Sequence, residues 1–418
     1  MKDRFLKIVK TTPIFVIIFT LLFCLFNFAS AEEITDLEIH SPSVLLVDSK
    51  TDQILYKKNA EEKMYPASTT KLMTAILVME NCNLTDKVTV TKAAIDKVPV
   101  SYATAELRAG ETLTVDELLQ VLLVPSANDA ANVFAYHISG SIEDFAVLMN
   151  EKAKELGATN THFVNPSGVH DEDHYSTAYD MYLIGKKANS FTRIQEIAKQ
   201  TECSLPNLPD GRERKFKTTN SLIKEDHPYY YEYATGLKTG YTDPAKSCVI
   251  AKANKDDREL FCVVLGGEKI DSKSTYRDVD CNTLFEYGYN DLEQQSICKK
   301  DEVIDNTKLE NIPEILIDSD LVFDTDLNLW VDKNHQPTMS IVWNNEIKRP
   351  IQKGTELATV TYLVNGETYS AKILAGEYIL DKNVFNYIFI IMMVILGLFI
   401  LKKILGASKK KRRKKSRR

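Results

Sequence analysis

Two uninterrupted apolar runs, one near each end, divide this chain before any motif is read. The first, residues 14–28, follows Lys2, Arg4, Lys7 and Lys10 and precedes Ala29-Ser30-Ala31. A basic start, an apolar stretch and a small-x-small site form the layout of a cleavable signal peptide, residues 1–31; the alternative is an uncleaved anchor. The second run, residues 384–401, is 18 residues long and carries no charge. That length is near the lower limit for a helix crossing a hydrocarbon core of about 30 Å. Lys402, Lys403 and the Lys/Arg-rich stretch from Lys409 to Arg418 follow it. Basic flanks stay on the cytoplasmic side. The expected arrangement is therefore a single pass through the cell membrane, with the basic tail 402–418 inside and the main body outside. A basic cluster directly after a span meets anionic lipid headgroups more often than nucleic acid.

The charge distribution supports that division. The whole chain has a formal net charge of −6, with +3 in residues 1–31 and +11 in residues 402–418, so the part between carries −20. A body so acidic argues against nucleic-acid binding, which demands a positive surface for phosphates. Of the seven cysteines, Cys24 lies in the first apolar run, leaving Cys82, Cys203, Cys248, Cys262, Cys281 and Cys298. An even number outside the cell permits disulfides, yet a body of about 350 residues buries enough core without them. No disulfide framework is expected. Cys248 and Cys262 flank the polar turn 254–257 and would approach each other across a hairpin in one of its registers.

Residues 33–290 mix the two periodicities. Ser43–Val47 and Gln53–Tyr56 flank a polar turn in a hairpin pattern. Leu72, Ala75, Ile76 and Met79 recur at helical spacing, and Leu118, Leu119, Leu122 and Leu123 form a second apolar face. Residues 142–156 read as a third helix stopped by Gly157, and Ser247–Ala253 with Glu259–Leu265 as paired strands. The class is α+β, helices packed on an antiparallel sheet. Residues 300–383 change character. Strands are expected at 314–317, 340–343, 356–364 and 368–374, the last two joined by Asn365-Gly366, a strong hairpin signal. This segment reads as a small all-β domain.

Three short motifs carry chemistry. In Ser68-Thr69-Thr70-Lys71, preceded by Pro66-Ala67, a helix start puts Ser68 and Lys71 on one face. A serine hydroxyl needs a base to become a nucleophile. Lysine serves only when neutral, a state favoured by burial, by a neighbouring cation and by the positive end of a helix. The pattern alone is common by chance, usually as a helix cap or a solvated pair. In Ser126-Ala127-Asn128, after Val124-Pro125, a hydroxyl suits proton relay and an amide suits holding a carbonyl; a plain turn is the alternative. In Lys238-Thr239-Gly240 a cation and a hydroxyl suit a substrate carboxylate, and Gly240 admits a close backbone or ligand; an exposed turn between strands is the alternative.

Taken in order, Ser-x-x-Lys, Ser-x-Asn and Lys-Thr-Gly form the signature of the penicillin-interacting serine enzymes. With Asn165-Pro166-Ser167-Gly168 and the residues around each motif, the stretch from about 35 to 290 resembles the low-molecular-mass D-alanyl-D-alanine carboxypeptidases, peptidase family S11, and the β-domain and C-terminal anchor match that family's layout. The resemblance implies the serine β-lactamase/D,D-peptidase-like fold and cleavage of the terminal D-alanine from peptidoglycan stem peptides ending in D-Ala-D-Ala. It implies β-lactam antibiotics as covalent inhibitors and no cofactor. It makes Ser68 the nucleophile, Lys71 the base, and Ser126 and Asn128 the second wall. Lys238 and Thr239 receive the carboxylate beside Gly240, the main-chain N–H groups of Ser68 and Tyr241 hold the oxyanion, and Arg277 adds positive charge. Two departures are visible: Ala127 stands where the family more often has Gly, and the anchor is a true apolar span where some relatives use a surface helix.

Other readings are weaker. His162, His170 and His174 sit around a Gly- and Asp-rich loop without a third-ligand pattern, so no metal is expected. Tyr229, Tyr230, Tyr231 and Tyr233 more often pack on their own fold than on sugar. A β-lactamase would need a deacylating Glu, and no Glu-x-x-x-Asn stands between Asn128 and Lys238. A penicillin-sensing receptor needs an output domain larger than the 402–418 tail. An endopeptidase using the same residues stays open.

Overall fold

The computed structural model describes residues 37–208, 210–381 and 383–415; the expected signal peptide lies outside them. Chain contacts divide the protein into two compact units. One holds the residues up to Glu293 with Trp330–His335 and Asn365–Glu367; the other holds Gln294–Leu329, Gln336–Val364 and Thr368 onward.

The first unit is built on five strands: β1 (Ser43–Asp48), β2 (Ile54–Lys58), β3 (Ala234–Thr242), β4 (Lys246–Lys255) and β5 (Arg258–Gly267). They run in the order β2-β1-β5-β4-β3, every neighbour antiparallel. Both expected hairpins, β1–β2 and β4–β5, are present. All six residues of β1 are buried, because both sheet faces are covered. Leu45, Val47, Ile250, Phe261 and Val263 point into one core; Val44, Leu46, Val249, Leu260 and Val264 point into the other. That double burial is why these strands read as continuous apolar runs rather than alternating ones.

The longer helices of the first unit are α1 (Lys71–Asn81), α2 (Val115–Leu123), α3 (Asn128–Ser139), α4 (Ile142–Glu155), α5 (Ala178–Asn189) and α6 (Tyr276–Glu286). Helix α1 is entered from a 3-10 turn, Ala67–Thr70. The periodicity predicts one apolar face for α1, but every residue from Lys71 to Val78 is buried. A helix enclosed on all sides is the centre of its layer, and this one carries Lys71 inside with it. Helix α2 starts with a full capping box between Thr114 and Glu117, which satisfies two helix-end donors reciprocally. Helix α6 packs on the other sheet face through Cys281, Leu284 and Phe285.

Alternation along β4 and β5 corrects one expectation. Cys248 faces the core that holds α1, and Cys262 faces the core that holds α6. They lie on opposite faces of the sheet, so the hairpin does not bring them together.

The second unit contains a four-stranded antiparallel sheet from β6 (Leu321–Phe323), β7 (Thr338–Trp343), β8 (Glu356–Val364) and β9 (Glu367–Ala375), in the order β6-β9-β8-β7. Asn365 and Gly366 between β8 and β9 both have positive φ, at 50° and 78°, as a two-residue hairpin turn requires. The strand expected at 314–317 is instead a 3-10 turn, Glu314–Leu316, opening at Pro313; proline fixes φ and lacks the N–H a strand ladder needs. Helix α7 (Val384–Lys415) contains one stretch, Val384–Lys403, long and apolar enough to cross a membrane.

All six cysteines in the described residues are free. Non-reducing peptide mapping is expected to recover each as a thiol; a peptide linking Cys248 to Cys262 would contradict the strand register.

Candidate active site

The 3-10 turn before α1 sets Ser68 one turn ahead of Lys71. The Lys71 amine lies 2.8 Å from Ser68 Oγ, 2.9 Å from Asn128 Oδ1 and 2.7 Å from the Ser167 carbonyl. The Asn128 amide is oriented by its Nδ2, which donates to the Ala103 carbonyl at 2.8 Å. Its oxygen therefore faces the lysine. A neutral amine has two donors and one lone pair; an ammonium has three donors. Two of the three oxygens accept only, while the Ser68 hydroxyl gives or takes. The arrangement accommodates an ammonium donating to all three oxygens or a neutral amine whose lone pair meets the Ser68 hydroxyl.

Electrostatics favour the neutral amine. Lys71 has no exposed surface. Burial, reinforced by the Lys238 charge and only partly opposed by Asp129, holds its amine well below the ordinary lysine range. Lys238 is also buried; burial and then Arg277 bring it down to about 7. Its ammonium donates to the Thr239 carbonyl at 2.8 Å.

Ser126 lies between α2 and α3 with φ at +67°, and Ala67 in the 3-10 turn is at +47°. Non-glycine residues in this region cost about 1–3 kcal/mol and persist where neighbours impose them. Here Ala127 N donates to Val121 O and Asn128 N to Ala103 O. The Ser126 hydroxyl is buried and has no hydrogen-bond partner among the described residues.

These elements enclose a cleft of about 430 Å³ lined by Ser68, Ser126, Asn128, Thr239, Gly240, Tyr241 and Arg277, among others. Seven of the nine residues expected from sequence line it directly. The other two, Lys71 and Lys238, are buried and joined to that wall through Ser68, Asn128 and Thr239. Thr239 Oγ1 shares a hydrogen with Thr219 Oγ1 at 2.6 Å. Gly240 is required by proximity: a Cβ there would stand 2.7 Å from Ser68 N and 3.1 Å from Pro66 O. Both are backbone atoms, so β3 could not lie this close to the Ser68 turn with any side chain at 240. Asp278 takes the Nε and Nη2 edge of the Arg277 guanidinium, Ser221 adds a bond to Nη2 at 3.0 Å, and the arginine still reaches the cleft.

Several wall residues have no sequence signal of their own. Ser101, Tyr102 and Ala103 come from an irregular segment, Thr219 from just before the 3-10 turn Ser221–Ile223, and Asp243 from directly after β3. The Ser167 carbonyl is backbone, which residue type does not encode; only the turn sequence Asn-Pro-Ser-Gly marked its place. His174 meets Thr70 Oγ1 through Nε2 at 2.9 Å, His162 bonds the Asp173 carbonyl, and His170 packs edge-on to Tyr65. Tyr231 stacks on Phe285 in the core.

Comparison with known proteins gives one consistent answer. A family model described as D-alanyl-D-alanine carboxypeptidase, peptidase S11, matches residues 29–269. The D-alanyl-D-alanine carboxypeptidase DacF of Bacillus subtilis is 32% identical over 83% of this chain and 88% of its own. DacC of Escherichia coli is 27% identical over 82% and 86%. Among solved structures, the Streptomyces K15 DD-transpeptidase matches 61% of this chain and 99% of its own at 30% identity, TM-score 0.56. DacD from Francisella tularensis, 22% identical, shares the fold over 84% of this chain and 96% of its own, TM-score 0.68.

The two buried lysines make a stability prediction. Their folded pKa values lie below the unfolded value of about 10.4, so above the folded value the unfolded chain binds more protons and stability rises with pH. For Lys238 that window opens at about 7. The denaturant midpoint of the first unit is expected to climb from about pH 7 to about pH 9, and Lys238→Gln to flatten part of that climb. Parallel curves for the two proteins would contradict the burial of a depressed lysine.

Proposed function

The chain belongs to peptidase family S11, the D-alanyl-D-alanine carboxypeptidases, and from that membership we propose how its own residues perform the reaction. Ser68 attacks the carbonyl of the penultimate D-alanine in a peptidoglycan stem peptide. Neutral Lys71 takes the hydroxyl proton, and Ser126 passes a proton on to the departing D-alanine amine. The main-chain N–H groups of Ser68 and Tyr241 hold the oxyanion, and water then releases the acyl group from Ser68. The observation that carries this reading is the Lys71 amine, wholly buried and 2.8 Å from Ser68 Oγ. The closeness of Gly240 to Ser68 N supports the oxyanion assignment, because it sets Tyr241 beside the Ser68 turn.

We assign residues 33–290 as the peptidase domain and 300–383 as a β-domain that follows it in the chain and precedes the span. The span from Val384 holds the enzyme at the cell membrane with the peptidase outside and the basic tail inside. β-Lactams acylate Ser68 because their strained amide mimics the D-Ala-D-Ala bond. Peptide mapping after labelled penicillin is expected to place one adduct on Ser68, and Ser68→Ala to lose labelling and turnover while keeping the fold. An adduct on any other residue would remove the nucleophile assignment.

A carboxypeptidase reads a free chain end. Thr239 and Arg277 line the cleft and suit a carboxylate, with the buried Lys238 amine beside them. A charge-assisted pair shielded from water is worth about 1.5–3 kcal/mol, roughly ten- to a hundredfold in rate. Arg277→Gln is expected to lower kcat/KM by that order for peptides ending in free D-Ala-D-Ala. It should matter much less when the end is amidated. Equal loss on both substrates would mean that Arg277 does not read the carboxylate, and endopeptidase activity would become the better reading.

A further inference from the structure

The least explained partner of Lys71 is the Ser167 carbonyl, which belongs to a turn with no side chain in the cleft. One carboxamide organises that turn. Asn165 Oδ1 accepts from Ser167 N at 3.1 Å, Ser167 Oγ at 3.1 Å, Gly168 N at 2.8 Å and Val169 N at 3.2 Å. Its Nδ2 donates to Val169 O at 2.8 Å. The turn is then seated on both catalytic elements. Thr74 Oγ1, one turn along α1 from Lys71, donates to Pro166 O at 2.6 Å. Gly168, at φ +78°, presses on the Ser68 turn so closely that a Cβ would stand 1.8 Å from Ala67 O. No side chain fits there without moving one backbone off the other.

We propose that Asn165 is a positioning residue for Lys71: its carboxamide fixes the turn whose Ser167 carbonyl takes one amine hydrogen and thereby aims the lysine at Ser68. Asn128 Oδ1 takes a second hydrogen from the side of α3. With both N–H directions occupied, the amine has one direction left, and Ser68 Oγ stands in it. Removing the Ser167 carbonyl frees the amine to rotate, and misplacement by about 1 Å at a reacting group costs on the order of a hundredfold. The charged and titratable groups facing Lys71 are Lys238 from β3, Asp129 from α3 and His174 from the segment after the turn. Any change at 165 acts against that background.

The inference rests on Lys71 as the base, and the test separates the two. Asn165→Asp keeps the shape and the accepting oxygen but turns an oxygen toward Val169 O and adds negative charge near the amine. Thr74→Val cuts the turn's tether to α1 without any charge change. Ser68 acylation by penicillin is followed in both variants and the parent from about pH 6 to about pH 10. In both variants the plateau rate per folded molecule is expected to fall about ten- to a hundredfold. In Asn165→Asp the acid limb should also move to higher pH, because added negative charge stabilises the ammonium. A merely structural role would lower thermal stability and leave plateau and limb in place, and that result in both variants would overturn the proposal. A parent profile whose acid limb lies near the ordinary lysine value of about 10.4 would remove Lys71 as a neutral base; a fallen plateau in the variants would still support the positioning role.

Discussion

A lysine with no exposed surface is the constraint on which the first unit is organised. An isolated ammonium is far too costly to bury, so the group either finds compensation or gives up its proton. Among the described residues, Lys71 meets three neutral oxygens and no carboxylate within hydrogen-bond reach. The opposing charge, Asp129, is itself occupied by the main-chain N–H groups of Ala105 and Leu107. Charge on Lys238 disfavours charge on Lys71. The fold thus supplies hydrogen-bond acceptors for an amine while withholding the counter-ion that would keep it charged.

The supports of that amine come from four separate places in the chain: the Ser68 turn, the start of α3, the Asn165–Gly168 turn and β3. Two glycines let them converge. Gly240 allows β3 against the backbone of Ser68, and Gly168 allows the turn against the backbone of Ala67. Both contacts are backbone on backbone, so neither adapts by a rotamer change. Two strained positions, Ala67 and Ser126, sit in the same cluster. Strain held at a site by well-packed neighbours is how a protein fixes groups that would otherwise relax apart.

Much of this was legible in the sequence because the chemistry is carried by side chains in ordered motifs. Ser68, Lys71, Ser126, Asn128 and Lys238 were picked out by three motifs taken in order, each weak alone, and the two hairpins of the sheet by turn chemistry between apolar runs. What escaped depended on which face a residue takes. The apolar periodicity of α1 gave one face, whereas burial of every residue to Val78 reflects packing on all sides. Cys248 and Cys262 were separated by sheet alternation, which register alone decides. The 314–317 segment has strand-like residues, but Pro313 turns it into a 3-10 turn. The Ser167 carbonyl was invisible because every residue has one.

The central claim is that Lys71 is a neutral amine in the folded protein near neutral pH. It is tested most directly by NMR titration of the lysine side chains, with the Lys71 resonance assigned by its loss in Lys71→Arg. The account predicts that the Lys71 signal has the neutral-amine shift at about pH 8 and titrates well below the ordinary lysine value of about 10.4. A Lys71 resonance that stays that of an ammonium up to about pH 10 would contradict it, and another group would then have to take the Ser68 proton.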